Sequence, residues 1–596
     1  MVSIKDGTKQ GKPEQEKTEQ EGRESREALL REDTIPGAEI LLRTLLLEGV
    51  ECVFGYPGGA LLYIYDAMHG SRRFRHILTR HEQGAVHAAD GYARATGRTG
   101  VCLATSGPGA TNLITGIATA YADSVPLVVI TGNVATSLIG TDAFQEADII
   151  GMTQPVTKHS YFVTRAEDLA LTLRRAFHLA GTGRKGPVLV DIPKDVSSAL
   201  AVFRYPAEEE VRVRGYDPYP VPDPVRIGEL LEALEKAERP LLLAGGGAVQ
   251  SDAGAALLAL AERAGIPVAT TLLGLAAFPG GHGLWTGMPG MHGTYAANMA
   301  LQECDLLISA GARFDDRVTM KLDRFAPKAA VAHIDLDPAE VGKLVPVTIP
   351  LIGDVRTVLE AALRRMPVEA PAREGWLGQI RAWQEEQPLR YAPSSTELKP
   401  QYVISMLSRT SGGNAIVTTD VGQHQMWTAQ YFRFAQPRSF LTSGGLGTMG
   451  FGFPSAIGAQ IGHPEKLVIS INGDGGMQMC AQELAICALH GLPVKIAVIN
   501  NRTLGMIRQW QELIYEGRYS HIDLGGSPDF VLLAEAYGVR GLRAATPGEA
   551  EEAWREALAH PGPVLIDFVV AKEELVYPMV PQGKGLGDMI LGRESE

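Results

Sequence analysis

Long apolar runs, cysteine and basic charge are what this chain has little of, and each shortage closes off a class of protein. No apolar run reaches the roughly 20 residues that span a bilayer, so a membrane-embedded chain is not expected. Five cysteines stand among 596 residues, at 52, 102, 304, 480 and 487. Their number is odd, their positions are scattered and none has metal-ligand spacing. Reduced core thiols in a cytoplasmic protein are therefore expected. Lysine and arginine total 55 against 68 acidic residues, and the net charge of −13 disfavours nucleic acid or anionic membrane as a partner. Residues 1–33 are almost free of large apolar groups and cannot offset their ordering entropy, so a disordered tail is expected there. That tail is not the acidic-poor, Arg/Ser-rich kind that marks a transit peptide.

What is present is an ordinary globular balance, 45% hydrophobic and 21% charged, in a chain long enough for about three or four domains. From 34 to 203, strand-like runs at 51–54, 75–78, 101–104, 127–131 and 188–192 alternate with helical stretches. That alternation favours a parallel sheet. The charged, proline-rich segment 204–224 reads as a linker. A second alternating block, 225–366, has strand runs at 240–244, 266–273, 305–310 and 330–334. Residues 367–400, rich in Glu, Pro and Trp, read as another linker, 401–572 as a third block and 573–596 as a tail. The fold class is thus α/β, three α/β domains with parallel sheets and no short-period repeat.

The most informative stretch is 466–506, which reads as a βαβ unit: strand 467–472, helix 477–490, strand 494–499. In open parallel sheets ligands bind at the carboxyl ends of strands, and these two ends carry Asp474 and Asn501. Parallel neighbours lie roughly 4.8 Å apart, so a carboxylate and an amide oxygen can converge on one hard cation. Gly473, Gly475 and Gly476 bare backbone N–H groups at a helix N-terminus, which suits an anion. A divalent ion bridging protein to diphosphate is the economical reading. The plain alternative is a glycine-rich turn whose Asp caps the helix.

Gly473-Asp474-Gly475 followed by Asn500-Asn501 resembles the thiamine-diphosphate binding motif. In the first block, the loops 55–60 (Gly-Tyr-Pro-Gly-Gly-Ala), 80–85 (Arg-His-Glu-Gln-Gly-Ala) and 106–111 (Ser-Gly-Pro-Gly-Ala-Thr) resemble the pyrimidine-binding domain of the same enzymes. The long matching runs over 35–585 are similar to acetohydroxyacid synthase, also called acetolactate synthase, in its biosynthetic large-subunit form.

The resemblance implies a role for Glu82 in hydrogen-bonding the aminopyrimidine and promoting its imino tautomer. From position alone, Glu82 reads as a first-turn acid favoured by the helix dipole. By resemblance, Gly59 belongs with the pyrimidine side, and Gln423, His424, Gly447, Met449, Gly475, Gly476, Gly505 and Met506 with the diphosphate side. Met449 would prop the cofactor into a bent shape, though it also suits a gap-filling core role. Asp474, Asn501 and the Thr503 carbonyl match the Mg²⁺ ligands. No G-x-G-x-x-G introduces the middle block, so FAD is implied by resemblance only. The positions are Arg184, Gly246, Gly247, His292, Gly311, Arg313, Asp315 and Asp335, each glycine singly reading as a plain turn. Phe144, Gln145, Lys194, Arg317 and Trp510 match positions facing substrate. Lys194 and Arg317 also read as surface cations, and Trp510 as a core aromatic.

The resemblance therefore implies a thiamine-diphosphate, Mg²⁺ and FAD carboligase in which flavin has no net redox role. Pyruvate would lose CO₂ and be joined to pyruvate or 2-ketobutyrate, on the route to branched-chain amino acids. A homodimer or homotetramer is implied, and a separate small regulatory subunit is common in the family. The competing readings are a flavin-using pyruvate oxidase, an FAD-free catabolic acetolactate synthase, and an inactive scaffold. The sequence departs from the family pattern at Met320, where glycine is usual, and at Ala135, often proline in inhibitor-sensitive members.

Overall fold

The computed structural model describes residues 26–70, 74–366, 373–526 and 528–592. Its strands, in chain order, are β1 (Thr34–Pro36), β2 (Cys52–Tyr56), β3 (Arg75–Leu78), β4 (Gly100–Ala104), β5 (Leu127–Asn133), β6 (His159–Phe162), β7 (Pro187–Pro193) and β8 (Leu200–Val202). The middle block supplies β9 (Pro240–Ala244), β10 (Val268–Thr270), β11 (Trp285–Gly287), β12 (Leu306–Ala310), β13 (Ala330–Asp335) and β14 (Ile349–Ile352). The last supplies β15 (Ile416–Thr419), β16 (Phe440–Leu441), β17 (Val468–Gly473), β18 (Lys495–Asn500), β19 (Arg540–Ala544) and β20 (Val564–Val569).

These strands form three six-stranded parallel sheets, as the alternation predicts, plus a small antiparallel β1–β8 pair. The central strands are apolar along their length because helices cover both faces: every residue of β5 and of β17 is buried. The first and third sheets share one topology. Their orders, β3-β2-β4-β5-β7-β6 and β16-β15-β17-β18-β20-β19, are the same permutation. The middle sheet runs β11-β10-β9-β12-β13-β14, the 3-2-1-4-5-6 order of doubly wound nucleotide-binding folds.

The first and third domains meet through helices Glu82–Thr96 and Gly452–Gly462. Two glycines set their separation. A Cβ on Gly91 would lie 2.1 Å from the Ser455 carbonyl oxygen, and one on Gly458 would lie 1.8 Å from that of Ala88. Buried residues of both domains consequently join one core, with Val86, Ala88 and Tyr92 beside Phe453, Ile457 and Met477.

Several segments differ from their sequence reading. The helix expected over 477–490 is broken into Asp474–Gln478, a 3-10 turn at Ala481–Glu483, and Leu484–His490. The break turns the wholly buried Glu483 carboxylate across the domain boundary, where both oxygens accept the Arg80 amide at 3.1 and 3.2 Å. The stretch 204–224 includes a helical turn, Glu208–Val211. Within 367–400, residues 367–372 lie outside the described residues, and helix Glu374–Glu386 follows. It buries Trp376, Ile380 and Trp383 in the middle domain's core, and Arg373 donates to the carbonyls of Leu234, Ala237 and Ala264. Of the expected N-terminal tail, 1–25 lie outside the described residues, while 26–29 form a helical turn. The segment from 573 packs back on the protein: Val580 N donates to Met291 O at 2.8 Å. All five cysteines are free and buried. Among the described residues no helix is long and apolar enough to cross a membrane.

Candidate active site

Each sheet has a point where strand order reverses, and the carboxyl ends of the strands there open a crevice. In the third sheet that point lies between β15 and β17, and in the middle sheet between β9 and β12. Both open into one continuous cleft of about 720 Å³, which the predicted residues of both domains line.

At the β15 and β17 ends the walls are glycine because nothing larger fits. A Cβ on Gly473 would meet the His424 ring at 2.8 Å, on Gly476 the Asp420 carboxylate at 2.3 Å, and on Gly505 the Gln423 amide oxygen at 2.1 Å. Asp474 is 2% exposed, and its Oδ2 has no hydrogen-bond partner. Burial pushes its carboxyl up to about 7, against the amides of Gly475 and Arg502 that favour the anion. Beside it, Asn501 Oδ1 accepts from Thr503 N at 3.1 Å. The Thr503 hydroxyl donates to Ile522 O at 2.9 Å. Among the described residues no three His, Cys, Asp or Glu side chains are grouped to hold a metal. One carboxylate, one amide and one carbonyl form a partial hard-oxygen set, the kind that phosphate and water complete around Mg²⁺. The buried carboxylate oxygen Asp474 Oδ2, left without a partner, fits that pairing.

His424 lines the same wall, its Nε2 buried without a partner and its basicity lowered to about 4 by burial. Gln423 is tied down: its amide nitrogen donates to Gln509 Oε1 and Glu574 O, both at 3.0 Å. Gly447 and Met449, from the 443–450 loop, line the cleft, as do Gly475, Gly476, Met506 and Trp510.

On the middle-domain side, Gly246, Gly247, His292, Gly311, Arg313, Asp315, Arg317 and Asp335 all line the cleft. Gly247 and Gly311 touch, since a Cβ on Gly247 would lie 2.8 Å from Gly311 Cα. This closeness at the β9/β12 reversal leaves bare backbone where a dinucleotide phosphate sits in such folds. Burial raises the Asp335 carboxyl to about 6. Arg184, from the first domain, spans to Asp337 at 2.9 Å and Glu340 at 2.7 Å. Asp315 caps the short helix that carries Arg317, accepting from Arg317 N at 3.0 Å, and Arg317 is 61% exposed at the cleft edge. Met320, which ends that helix, has φ +53° and ψ −117°, backbone that glycine enters freely and methionine enters under strain. Ala135 has φ −58°, a value proline also adopts.

Gly59, Glu82, Gln145 and Lys194 are not among the cleft-lining residues. They gather instead at the carboxyl ends of the first sheet, following β2, β3, β5 and β7 in turn. Glu82 Oε2 accepts from Asn112 Nδ2 at 3.0 Å, and Gln145, at φ +62°, backs onto Gly107. Around them Tyr56, Leu62, Tyr63, Leu138 and Ile139 are exposed, and Phe144 is 89% exposed. The sequence reading missed the residues that brace the site: Arg94, Asp123, Ser124, Asp420 and Glu483. Asp420 is wholly buried, its carboxyl pushed up to about 7, and accepts the Gly450 amide at 3.0 Å. Of these, Asp420, an acid directly after the strand run Ile416–Thr419, carried a signal in the sequence.

Three family models tile this arrangement. Residues 35–152 match the N-terminal TPP binding domain of thiamine pyrophosphate enzymes, 227–362 their central domain and 420–568 their C-terminal TPP binding domain. The fold and cleft are those of a thiamine-diphosphate-dependent enzyme. The acetolactate synthase large subunit of Haemophilus influenzae is 47% identical over 567 residues, 94% of this chain and 99% of that protein. The isozyme 3 large subunit of Escherichia coli is 48% identical over 569 residues, with the same coverage. The Corynebacterium glutamicum large subunit is 49% identical over 566 residues, 94% of this chain and 90% of that protein. The chain belongs to the acetolactate synthase family, thiamine-diphosphate enzymes of acetolactate formation.

Proposed function

We propose that this chain is the catalytic subunit of a biosynthetic acetolactate synthase holding thiamine diphosphate, Mg²⁺ and FAD. The observation that carries the reading is the buried, half-orphaned Asp474 carboxylate beside Asn501 in a glycine-walled cleft. Asp474, Asn501 and the Thr503 carbonyl hold Mg²⁺, while the amides of Gly475 and Gly476 face the diphosphate. His424 and Gln423 close the phosphate end, and Met449 with Gly447 supports the middle of the cofactor. Thiamine diphosphate, when bound, supplies the carbanion chemistry by which pyruvate loses CO₂ and its two-carbon unit joins a second 2-keto acid.

Glu82 would hydrogen-bond the aminopyrimidine of the bound cofactor and promote its imino tautomer, a proton transfer that water assists poorly. Arg317 pairs with the acceptor carboxylate through two parallel N–H donors. Gln145 and Lys194 face the reacting carbons from the first domain, and Trp510 walls the acceptor's alkyl end. Gly246, Gly247, His292, Gly311, Arg313, Asp315 and Asp335, with Arg184 from the first domain, would hold FAD. Because Glu82 stands outside the cleft of its own chain, a second copy must bring its first domain over this cleft. The exposed apolar rim around Phe144 is the surface that does so, giving a homodimer or a homotetramer built from it. The relatives are called large subunits, and a separate small subunit is the expected regulatory partner. Five buried free thiols suit the reducing cytoplasm.

Product analysis tests the reading. Purified protein with Mg²⁺ and thiamine diphosphate should be yellow and form 2-acetolactate from pyruvate. Added 2-ketobutyrate should yield 2-aceto-2-hydroxybutyrate. Electron transfer from pyruvate to oxygen or a quinone in place of carboligation would sink it.

A further inference from the structure

The loop bearing Gly447 and Met449 belongs to the third domain, yet its anchor lies in the first. Asp123 ends helix Ile114–Ala122 and is 7% exposed. Its two oxygens accept two consecutive amides, Gly444 N at 3.0 Å and Gly445 N at 2.7 Å. Gly445 permits this approach, since a Cβ there would stand 2.8 Å from Asp123 Oδ1. Arg94, from the Glu82 helix, completes the brace. Its guanidinium bonds Asp123 at 2.9 Å, Asp90 at 2.5 Å and the Thr442 carbonyl at 2.9 Å. At the far end of the loop, the hydroxyls of Thr448 and Thr119 are 2.7 Å apart.

The next residue points the other way. Ser124 has φ +59°, a left-handed turn that sends its hydroxyl to Arg184 Nε at 3.1 Å. Arg184 in turn grips Asp337 and Glu340 in the middle domain. Two successive residues of the first domain thus touch the 444–449 loop on one side and the Arg184 arm on the other. A strained serine between two ion-paired anchors is what a strut needs, because neither end can shift without moving the other.

We propose that Asp123 and Ser124 are positioning residues that couple the two ends of the cleft, so that flavin at one end tightens thiamine diphosphate at the other. This rests on the cofactor assignment above. Asp123 sets the height of the 444–449 loop, and Ser124 passes the flavin-side arrangement of Arg184 to it. Coupling of this kind is reciprocal and typically about 5- to 150-fold.

The test is thiamine diphosphate titration of stripped full-length protein in excess Mg²⁺, by calorimetry, with and without saturating FAD. Wild type should bind thiamine diphosphate at least about fivefold tighter with FAD present. Ser124→Ala should abolish most of that dependence. Asp123→Ala should weaken thiamine diphosphate about tenfold or more with or without FAD, and Asp123→Asn, which keeps one acceptor for the glycine amides, should recover part of the loss. Full coupling in a folded Ser124→Ala protein overturns the strut, and so does a wild type that binds both cofactors independently. If Asp123→Ala fails to fold, the Ser124→Ala result decides alone. A wild type that binds neither cofactor refutes the assignment beneath the proposal instead.

Discussion

The first and third domains are built on the same strand order and carry the same device in it. Asn133, ending β5, donates to Asp191 on β7 at 2.6 Å, and Asn500, ending β18, donates to Asp567 on β20 at 2.8 Å. Each pair ties together two adjacent strands, β5 to β7 and β18 to β20, at equivalent positions of the two sheets. The crevices themselves differ. The third domain encloses buried polar atoms without a hydrogen-bond partner, Asp474 Oδ2 and His424 Nε2. The first presents Glu82, Gln145 and Lys194 on an open face rimmed by exposed apolar side chains. On the proposed reading, one half of the site is assembled within a chain, and the other is completed by a second copy. Shared topology says nothing of that division, because function is placed on a fold by its loops.

The largest effect is expected for Glu82→Gln. It should leave cofactor affinity nearly intact while slowing turnover roughly 10²- to 10⁴-fold, the usual worth of general acid–base assistance. Hydrogen–deuterium exchange at the reactive thiazolium carbon of bound cofactor checks it, and wild-type exchange would remove the role. Co-expressing Glu82→Gln with Asp474→Ala sharpens the point. If each site takes Glu82 from one chain and Asp474 from the other, half the dimers are mixed and each has one intact site. Activity then returns to about a quarter of wild type, as the two-fold arrangement requires. A mixture as inactive as its parents would mean that both residues serve one chain.

Asp474→Ala acts on the preassembled half. It should weaken Mg²⁺ and thiamine diphosphate together, by tenfold or more, because even the outer partners of metal ligands are worth about 10- to 100-fold. Excess Mg²⁺ should restore part of the activity by mass action. Equal affinity for both ligands in wild type and variant would end the metal assignment.

A smaller effect is expected at Trp510, which lines the cleft from helix Gly505–Ile514. Pyruvate and 2-ketobutyrate differ by one methylene, usually worth about 1–3 kcal/mol of discrimination. Trp510→Leu should keep acetolactate formation while lowering preference for 2-ketobutyrate, measured by competition at fixed concentrations. An unchanged product ratio in folded enzyme would return Trp510 to a packing role.

Much of this was legible in the chain because strands buried on both faces write themselves as unbroken apolar runs, with polar residues only where the strands end. Val468–Gly473 and Lys495–Asn500 announce Asp474 and Asn501 in that way. Short edge strands such as Phe440–Leu441 carry no such signature. Helix Glu374–Glu386 was hidden by the proline- and glutamate-rich composition around it. Its Trp376, Ile380 and Trp383 do recur at helical spacing. The shared topology of the outer domains was invisible because no repeat marks it. Asp123 and Glu483 were out of reach for another reason. Their partners lie more than 300 residues away, and no local pattern encodes a contact between domains.

The smallest effect is expected at Glu483, through which the third domain grips the entry to the Glu82 helix. Its carboxyl accepts the amides of Arg80 and His81, and burial raises it from about 4.5 to about 7. Arg80 opposes the rise, while Cys480 and Cys487 pack nearby as thiols that burial keeps neutral. Between those pH values the folded protein holds a proton that the unfolded chain has released. Stability from this group is therefore complete below about 4.5 and lost as pH rises through 7, at a slope of at most about 1.4 kcal/mol per pH unit. Glu483→Gln keeps a neutral acceptor and cannot titrate. Its melting temperature, scanned at one rate, should gain on wild type as pH rises from 5 to 7, with the two similar at pH 5. If the difference between the proteins stays flat across that window, Glu483 remains charged in the folded state, and the grip on the Glu82 helix is an ion–amide contact rather than a protonated one.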